Sequence, residues 1–163
     1  MKLLLLGTTC AGKSTLAPAL AQRYGLTLLE ADDEVQRSNG GVWPPDEATI
    51  DTYFAQTTPK VLQMEDILYV ISWLSKAEIQ AFYKAGFKLV DLHARYDEIK
   101  RRKLIRDDFD LYGEERLQRN FHAYRDLIAD PEVREWFAVS LDTTGLEPTQ
   151  VRQAVFKRLE LTP

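Results

Sequence analysis

The chain has 163 residues, 45% hydrophobic and 28% charged, a balance that suits one globular domain able to build its own core. Its 25 Asp and Glu against 21 Lys and Arg give a net charge of -4, which argues against general electrostatic binding to nucleic acid or an anionic membrane. One cysteine, Cys10, and two histidines, His93 and His122, rule out an internal disulfide and a multi-cysteine zinc site, so a reducing, cytoplasmic setting is expected.

Met1-Lys2 precedes a run of leucines that stops at Gly7. That run is shorter than the ~7–15 residues of a signal-peptide core and far short of the ~20 of a membrane span. Lys2–Leu6 therefore reads as a first, buried strand. Lys13–Tyr24 reads as a helix, with Leu16, Ala17, Leu20 and Tyr24 at helical spacing and Gly25 placed to cap its C-terminus. Leu26–Ala31 reads as a second strand, followed by an irregular region around Ser38-Asn39-Gly40-Gly41 and Pro44-Pro45. A helix is expected from Asp46 through Ala55 and another near Pro59–Met64. Strand Ile67–Ser72, helix Lys76–Ala85 ended by Gly86, and strand Phe87–Leu92 follow. A charged helix over about Tyr96–Arg106, a helix Glu114–Ala129 with Pro131 beyond its end, strand Phe137–Leu141 and helix Pro148–Leu159 complete the order. Short, continuous apolar strands alternating with helices predict a doubly wound α/β domain, its parallel sheet covered on both faces.

The most specific pattern lies at the first strand–helix junction. Gly7-Thr8-Thr9-Cys10-Ala11-Gly12-Lys13-Ser14 fits G-x-x-x-x-G-K-[ST], the phosphate-binding P-loop. Its glycines let successive backbone N–H groups converge on one anion, and the following helix adds its positive N-terminal end. Lys13 is spaced to reach the β- and γ-phosphates, Ser14 to offer its hydroxyl to Mg²⁺, and Thr15 to add an α-phosphate contact. Cys10 reads first as a small residue supplying a backbone N–H, and alternatively as an oxidation-sensitive thiol. Pro18 removes a hydrogen bond to the Ser14 carbonyl and should bend its helix.

The second strand ends in Glu30-Ala31-Asp32-Asp33-Glu34. Ligands of open parallel sheets sit at the carboxyl ends of the strands, so these carboxylates should face the P-loop. Phosphoryl transfer to a hydroxyl uses a carboxylate that orients the nucleophile and helps to hold Mg²⁺. Asp32 is the first candidate and Asp33 the second; the alternative is an acidic N-cap of the next helix. Farther on, Arg95, Lys100, Arg101, Arg102, Lys103 and Arg106 crowd one segment, with Arg116, Arg119 and Arg125 after it. Arg102 and Arg106 are four apart and share a helix face, which could close over a transferring phosphoryl group. The alternative is a solvated helix balanced by Asp97, Glu98, Asp107, Asp108 and Asp110.

With its P-loop, its "LLEADDEV" strand end, its basic "DEIKRRKLIR" helix and its late "SLDTTGLEP" segment, the chain resembles the P-loop small-molecule and nucleotide kinases. That group includes shikimate, gluconate, adenylate and nucleoside kinases. The resemblance spans most of the chain, but only the P-loop is specific. It implies a five-stranded parallel sheet in order 2-3-1-4-5, with an acceptor-binding region over about residues 33–64 and an arginine-bearing lid over about residues 100–125. It also implies ATP and Mg²⁺ as cofactors. Carried over by position, Lys13, Asp32, Arg102 and Arg106 take the catalytic roles. Gly7, Thr8, Thr9, Cys10, Ala11, Gly12, Lys13, Ser14 and Thr15 hold the phosphates, Asp142 and Thr143 lie by the adenine, and Ser14 with Asp32 serves the metal. An ordinary polar turn is the other reading of Asp142-Thr143-Thr144.

Two departures bear on the reaction. The third strand ends in Ser72-Trp73, without the acidic residue that many members carry there, which leaves Mg²⁺ to Ser14 and the second-strand carboxylates. Between Leu26 and Asp66 stand nine acidic residues and two basic ones, Arg37 and Lys60, which favours an uncharged or polyhydroxyl acceptor over a phosphorylated one. Trp43, Tyr53, Phe54 and Trp73 are candidates for the acceptor site or, singly, for the core. The expected reaction is transfer of the γ-phosphate of ATP to a small-molecule acceptor by a monomer or homodimer, without nucleic acid or membrane. The alternatives are a polynucleotide 5′-kinase and a nucleotide-binding regulatory module without transfer activity.

Overall fold

Strand β1 (Lys2–Leu6) shows how the sheet is covered. Its leucines are all fully buried, yet they divide between two cores: Leu3 and Leu5 join one, Leu4 and Leu6 the other. Successive strand residues point to opposite faces, so an unbroken apolar run is stable only when both faces are covered. The same division holds in β3 (Ile67–Ile71), where Leu68 and Val70 face one core and Ile67, Tyr69 and Ile71 the other. The computed structural model describes residues 1–105 and 113–161.

The other strands are β2 (Thr27–Glu30), β4 (Lys88–His93) and β5 (Phe137–Asp142). The sheet runs β2-β3-β1-β4-β5, the order the resemblance implies, and every pairing is parallel, as the apolar strands predict. The helices are α1 (Lys13–Tyr24), α2 (Ala31–Ser38), α3 (Glu47–Gln63), α4 (Lys76–Lys84), α5 (Tyr96–Ile105), α6 (Glu114–Ala129), α7 (Pro131–Trp136) and α8 (Pro148–Leu161). Parallel strands at the centre bring all strand C-termini to one edge, and the order β3-β1-β4 places the P-loop between two walls there. Among the described residues no helix is long and apolar enough to cross a membrane.

Local chemistry sets the helix ends. Gly25 adopts the left-handed conformation, φ 65°, at the C-terminus of α1. The Asp46 carboxylate accepts from Thr49 N at 2.8 Å and starts α3, while Ser75 and Glu78 form a reciprocal capping box on α4. Both Pro18 and Pro59 lie inside continuous helices. The two segments expected around Pro59 are therefore one helix, fixed to the core by buried Thr58 and Val61 on either side of the proline's turn.

Two helices depart from the sequence reading. Helix α2 follows β2 directly, where an irregular region was expected, with only Ala31 and Val35 buried. Two apolar positions in eight residues are too few to reveal helical periodicity. Helix α7 begins at Pro131, which the sequence reading places only as the stop beyond α6. Proline suits the first position of a helix, where its missing N–H costs nothing, and Asp130 accepts from Glu132 N at 2.9 Å to cap it.

Candidate active site

The turn after β1 is shaped by close packing. A side chain on Gly7 would place its Cβ 2.2 Å from the Leu92 carbonyl oxygen of β4, so only glycine lets the loop leave the sheet here. Cys10 (φ 62°) and Gly12 (φ 104°) both take left-handed backbone, which curls the loop ahead of α1. Ala11 N donates to Thr8 O at 3.1 Å inside the curl. Lys13 is buried, and its Nζ donates to Gly7 O at 2.7 Å and Thr8 O at 3.1 Å. The ammonium thus lies folded along the loop from which it must reach a phosphate. Ser14 Oγ donates to Glu30 Oε2 at 3.0 Å, joining the loop to the end of β2.

The loop opens on a cavity of about 690 Å³, bounded by α2 on the β2/β3 side and by α5 and the turn after β5 on the other. Asp32 and Asp33 line the first side, in the opening turn of α2. Neither serves as the cap: Glu30 holds the N-cap position and no side chain bonds there. Asp32 is open to water yet lies within a concave wall of protein. Lost hydration pushes its carboxyl above the usual range, with Lys13 pulling it down and Asp33 pushing it up. Trp43 and Ser72 line this side too, whereas Trp73 is 48% exposed outside the lining. Tyr53 and Phe54 meet edge to face on α3 and do not line the cavity.

The opposite side is closely cross-linked. Arg102 of α5 donates through Nε to Glu98 Oε1 at 2.8 Å, through Nη1 to Thr143 Oγ1 at 3.0 Å and Cys10 O at 3.3 Å, and through Nη2 to Thr143 O at 2.6 Å. Thr143 is buried; its Oγ1 lies 3.1 Å from both Ala11 O and His93 O, and its N donates to His93 O at 2.7 Å. Glu98 carries Arg101 as well as Arg102. The hydrogen bonds from Arg101 hold its carboxyl down at about 2, against partial burial, with Arg102 acting in the same direction. Asp142 is not part of the cavity lining; its Oδ1 accepts from Thr144 N at 2.9 Å and shapes the turn. Arg106 lies outside the described residues.

The structure thus brings Lys13, Ser14, Asp32, Arg102 and Thr143 to one cavity. Two contributors escaped the sequence reading. Glu30, named there only as one of the strand-end carboxylates, is the one that meets Ser14. Glu98, read as a solvated counter-charge, orients Arg102; its i,i+4 spacing to Arg102 was the available signal. Among the described residues no three acidic, histidine or cysteine side chains form a metal cage. Ser14 Oγ, Glu30 and Asp32 do supply the hard oxygen donors that suit Mg²⁺, which characteristically takes few protein ligands and completes its shell with phosphate and water.

Neither a protein-family model nor a curated sequence matches the chain. Solved structures do match. A shikimate kinase from Acinetobacter baumannii, in complex with shikimate, aligns with a TM-score of 0.78 and 18% identity over 98% of this chain and 93% of that one. The chain has the P-loop kinase fold. A gluconokinase from Sinorhizobium meliloti shares that fold at a TM-score of 0.68 and 19% identity, covering 99% and 93% of the two chains. The YorR protein of Bacillus subtilis, in complex with phosphorylated GDP, aligns at 0.67 and 18% identity over 98% and 96%. The P-loop kinase fold is therefore covered from end to end.

Proposed function

We propose that this protein is a phosphotransferase that moves the γ-phosphoryl group of ATP to a hydroxyl of a small molecule. The observation that carries this reading is one cavity with a P-loop lysine, Lys13, on its floor and on its wall a carboxylate, Asp32, that makes no hydrogen bond or ion pair among the described residues. The P-loop kinase fold supports it, as do structural neighbours named as shikimate kinase and gluconokinase.

In this reading the loop amides and Lys13 bind the triphosphate, with Lys13 exchanging the Gly7 and Thr8 carbonyls for phosphate oxygens. Ser14 and Glu30, with Asp32, would hold Mg²⁺, which when bound neutralises phosphate charge and fixes its geometry. Asp32 accepts a hydrogen bond from the acceptor hydroxyl. The hydroxyl oxygen forms its bond to Pγ as the bond from Pγ to the bridging oxygen of ADP breaks. The hydroxyl proton passes to Asp32 and then to water. A carboxyl raised above its usual range is the better base for that step. Thr143 and Arg102 brace the loop from the nucleotide side.

Lys13→Ala tests the reading. We expect γ-phosphate transfer to fall by about 10³, while circular dichroism and the thermal midpoint show a folded chain. Full transfer by a folded Lys13→Ala protein would refute it. ATP binding by the unaltered protein without turnover across a broad acceptor panel would instead favour a nucleotide-binding regulatory module.

A further inference from the structure

Asp91 of β4 is a fully buried carboxylate that the proposed reaction does not use. Among the described residues no lysine or arginine pairs with it. Three donors from three elements converge on it instead. The Tyr124 hydroxyl of α6 donates to Oδ1 at 2.6 Å. The Ser140 hydroxyl of β5 donates to Oδ2 at 2.7 Å, and His93 Nδ1 lies 2.7 Å from the same oxygen. With the carboxylate accepting throughout, the third contact places the imidazole proton on Nδ1. A carboxylate leaves water only when hydrogen bonds replace its hydration, so the cluster holds its members in fixed relative positions.

His93 carries that order toward the nucleotide wall. Its ring is held by Asp91, while its backbone carbonyl accepts from Thr143 N at 2.7 Å and lies 3.1 Å from Thr143 Oγ1. Thr143 Oγ1 in turn lies 3.1 Å from Ala11 O of the P-loop. One residue earlier, the Leu92 carbonyl is the atom against which Gly7 packs. The end of β4 therefore meets the P-loop twice, directly at Leu92 and through Thr143 at His93. Neither Asp91 nor His93 lines the cavity itself. Tyr124 and Ser140 already give each carboxylate oxygen one donor. The bond to His93 is the one that also reaches the wall.

We propose that Asp91 and His93 form a positioning pair for ATP binding. Asp91 fixes the His93 ring, the ring fixes the carbonyl end of β4, and that end sets where Thr143 and the P-loop stand around the phosphates. Neither residue touches substrate; both act through Thr143 and the loop. This assignment rests on the reading above, in which the P-loop holds ATP.

The test measures the Kd of Mg·ATP by calorimetry on the full chain, which needs no acceptor, and records a thermal midpoint for every variant. His93→Ala should raise Kd by about fivefold, the worth of one hydrogen bond. His93→Asn places an amide N–H where Nδ1 stands, and should bring Kd back to within about twofold of the parent. His93→Gln carries its N–H one bond farther out, so it should bind as weakly as His93→Ala and replaces that variant should alanine fail to fold. Tyr124→Phe removes the donor to Oδ1 but leaves the His93 bond; it should lower the thermal midpoint while Kd stays within about twofold. Parent-like Kd in folded His93→Ala or His93→Gln overturns the inference. So does equal weakening by His93→Asn, or by Tyr124→Phe, because the cluster would then act through stability alone. If the unaltered protein binds ATP and the inference fails on these variants, the phosphotransferase reading survives; if it does not bind ATP, both fall.

Discussion

On the β4/β5 side of the cavity, Arg102 and Thr143 are bonded to P-loop carbonyls and to each other, and Glu98 holds Arg102 in place. On the β2/β3 side, Asp32 and Asp33 stand in the first turn of α2 with no such partners among the described residues. One wall is satisfied by the protein itself, so its geometry exists before any ligand arrives. On the other, Asp32 and Asp33 are left without such bonds among the described residues, so their charge is open to a ligand. On the proposed phosphotransferase reading, the difference divides two jobs: the phosphate donor would meet a preorganised wall, and acceptor choice would reside where the chain tolerates unpaired charge.

Breaking the unsatisfied wall should have the larger effect. Asp32→Asn keeps the shape and removes the base, so we expect kcat for transfer to fall by about 10³ with little change in the KM for ATP. With Mg²⁺ absent, the deprotonated share of Asp32 should rise with pH only above the usual carboxyl range, because the concave wall around it strips its hydration, as an NMR titration would show. Stability should move the other way. A folded-state pKa above the ordinary 3.8 means the folded chain holds this proton more tightly, so the site's stabilising contribution is full below 3.8 and lost as pH rises through the raised value. Asp32→Asn should therefore be inactive yet at least as stable as the parent at neutral pH, as denaturant titration would show. An inactive variant that is also clearly less stable would mean that Asp32 is bonded into the wall after all.

Breaking the satisfied wall should act on binding. Arg102→Ala removes bonds to Cys10 O, Thr143 O and Thr143 Oγ1. At about 1 kcal/mol per hydrogen bond, discounted for partial exposure, the KM for ATP should rise by about tenfold. As a brace, Arg102 affects kcat less than KM; steady-state kinetics with ATP varied would separate the two. A loss confined to kcat would instead make it the group that stabilises transferring charge, as the family resemblance implies.

The satisfied wall was harder to read from sequence than the unsatisfied one. The P-loop is a contiguous pattern, so Gly7, Lys13 and Ser14 could be placed at once, and alternating apolar strands fixed the sheet order through the resemblance. The position of Asp32 at the cavity was legible because it follows closely on a strand end at the edge where ligands bind. Two partners of Arg102 were not, because strand order brings Cys10 and Thr143 to it across 92 and 41 residues of chain, whereas Glu98, four residues away on the same helix, left its i,i+4 spacing as a signal. Helix α2 hid behind its charge, since a short helix with two buried positions carries almost no periodic signal. Asp142 was placed by the adenine only through the resemblance, with a polar turn as the alternative, and its carboxylate does accept from Thr144 N within that turn.

The smallest effect should come from the ion pairs that orient the satisfied wall. Glu98 accepts from Arg101 and Arg102, and these bonds lower its pKa from 4.5 to about 2. A depressed carboxyl contributes stability that is present above 4.5 and lost as pH falls toward about 2. Arg101 is 62% exposed, so solvent screening reduces that contribution and it should weaken further in added salt. Glu98→Gln should therefore lower stability modestly at pH 7 and converge with the parent in acid, while releasing Arg102 enough to raise the KM for ATP by about twofold to threefold, less than Arg102→Ala does. Denaturation midpoints measured from pH 7 down to about 2, alongside ATP kinetics, check both parts. A stability difference that persisted unchanged into acid would show that Glu98 acts by packing rather than by charge. The brace on the nucleotide side would then owe its order to Thr143 alone.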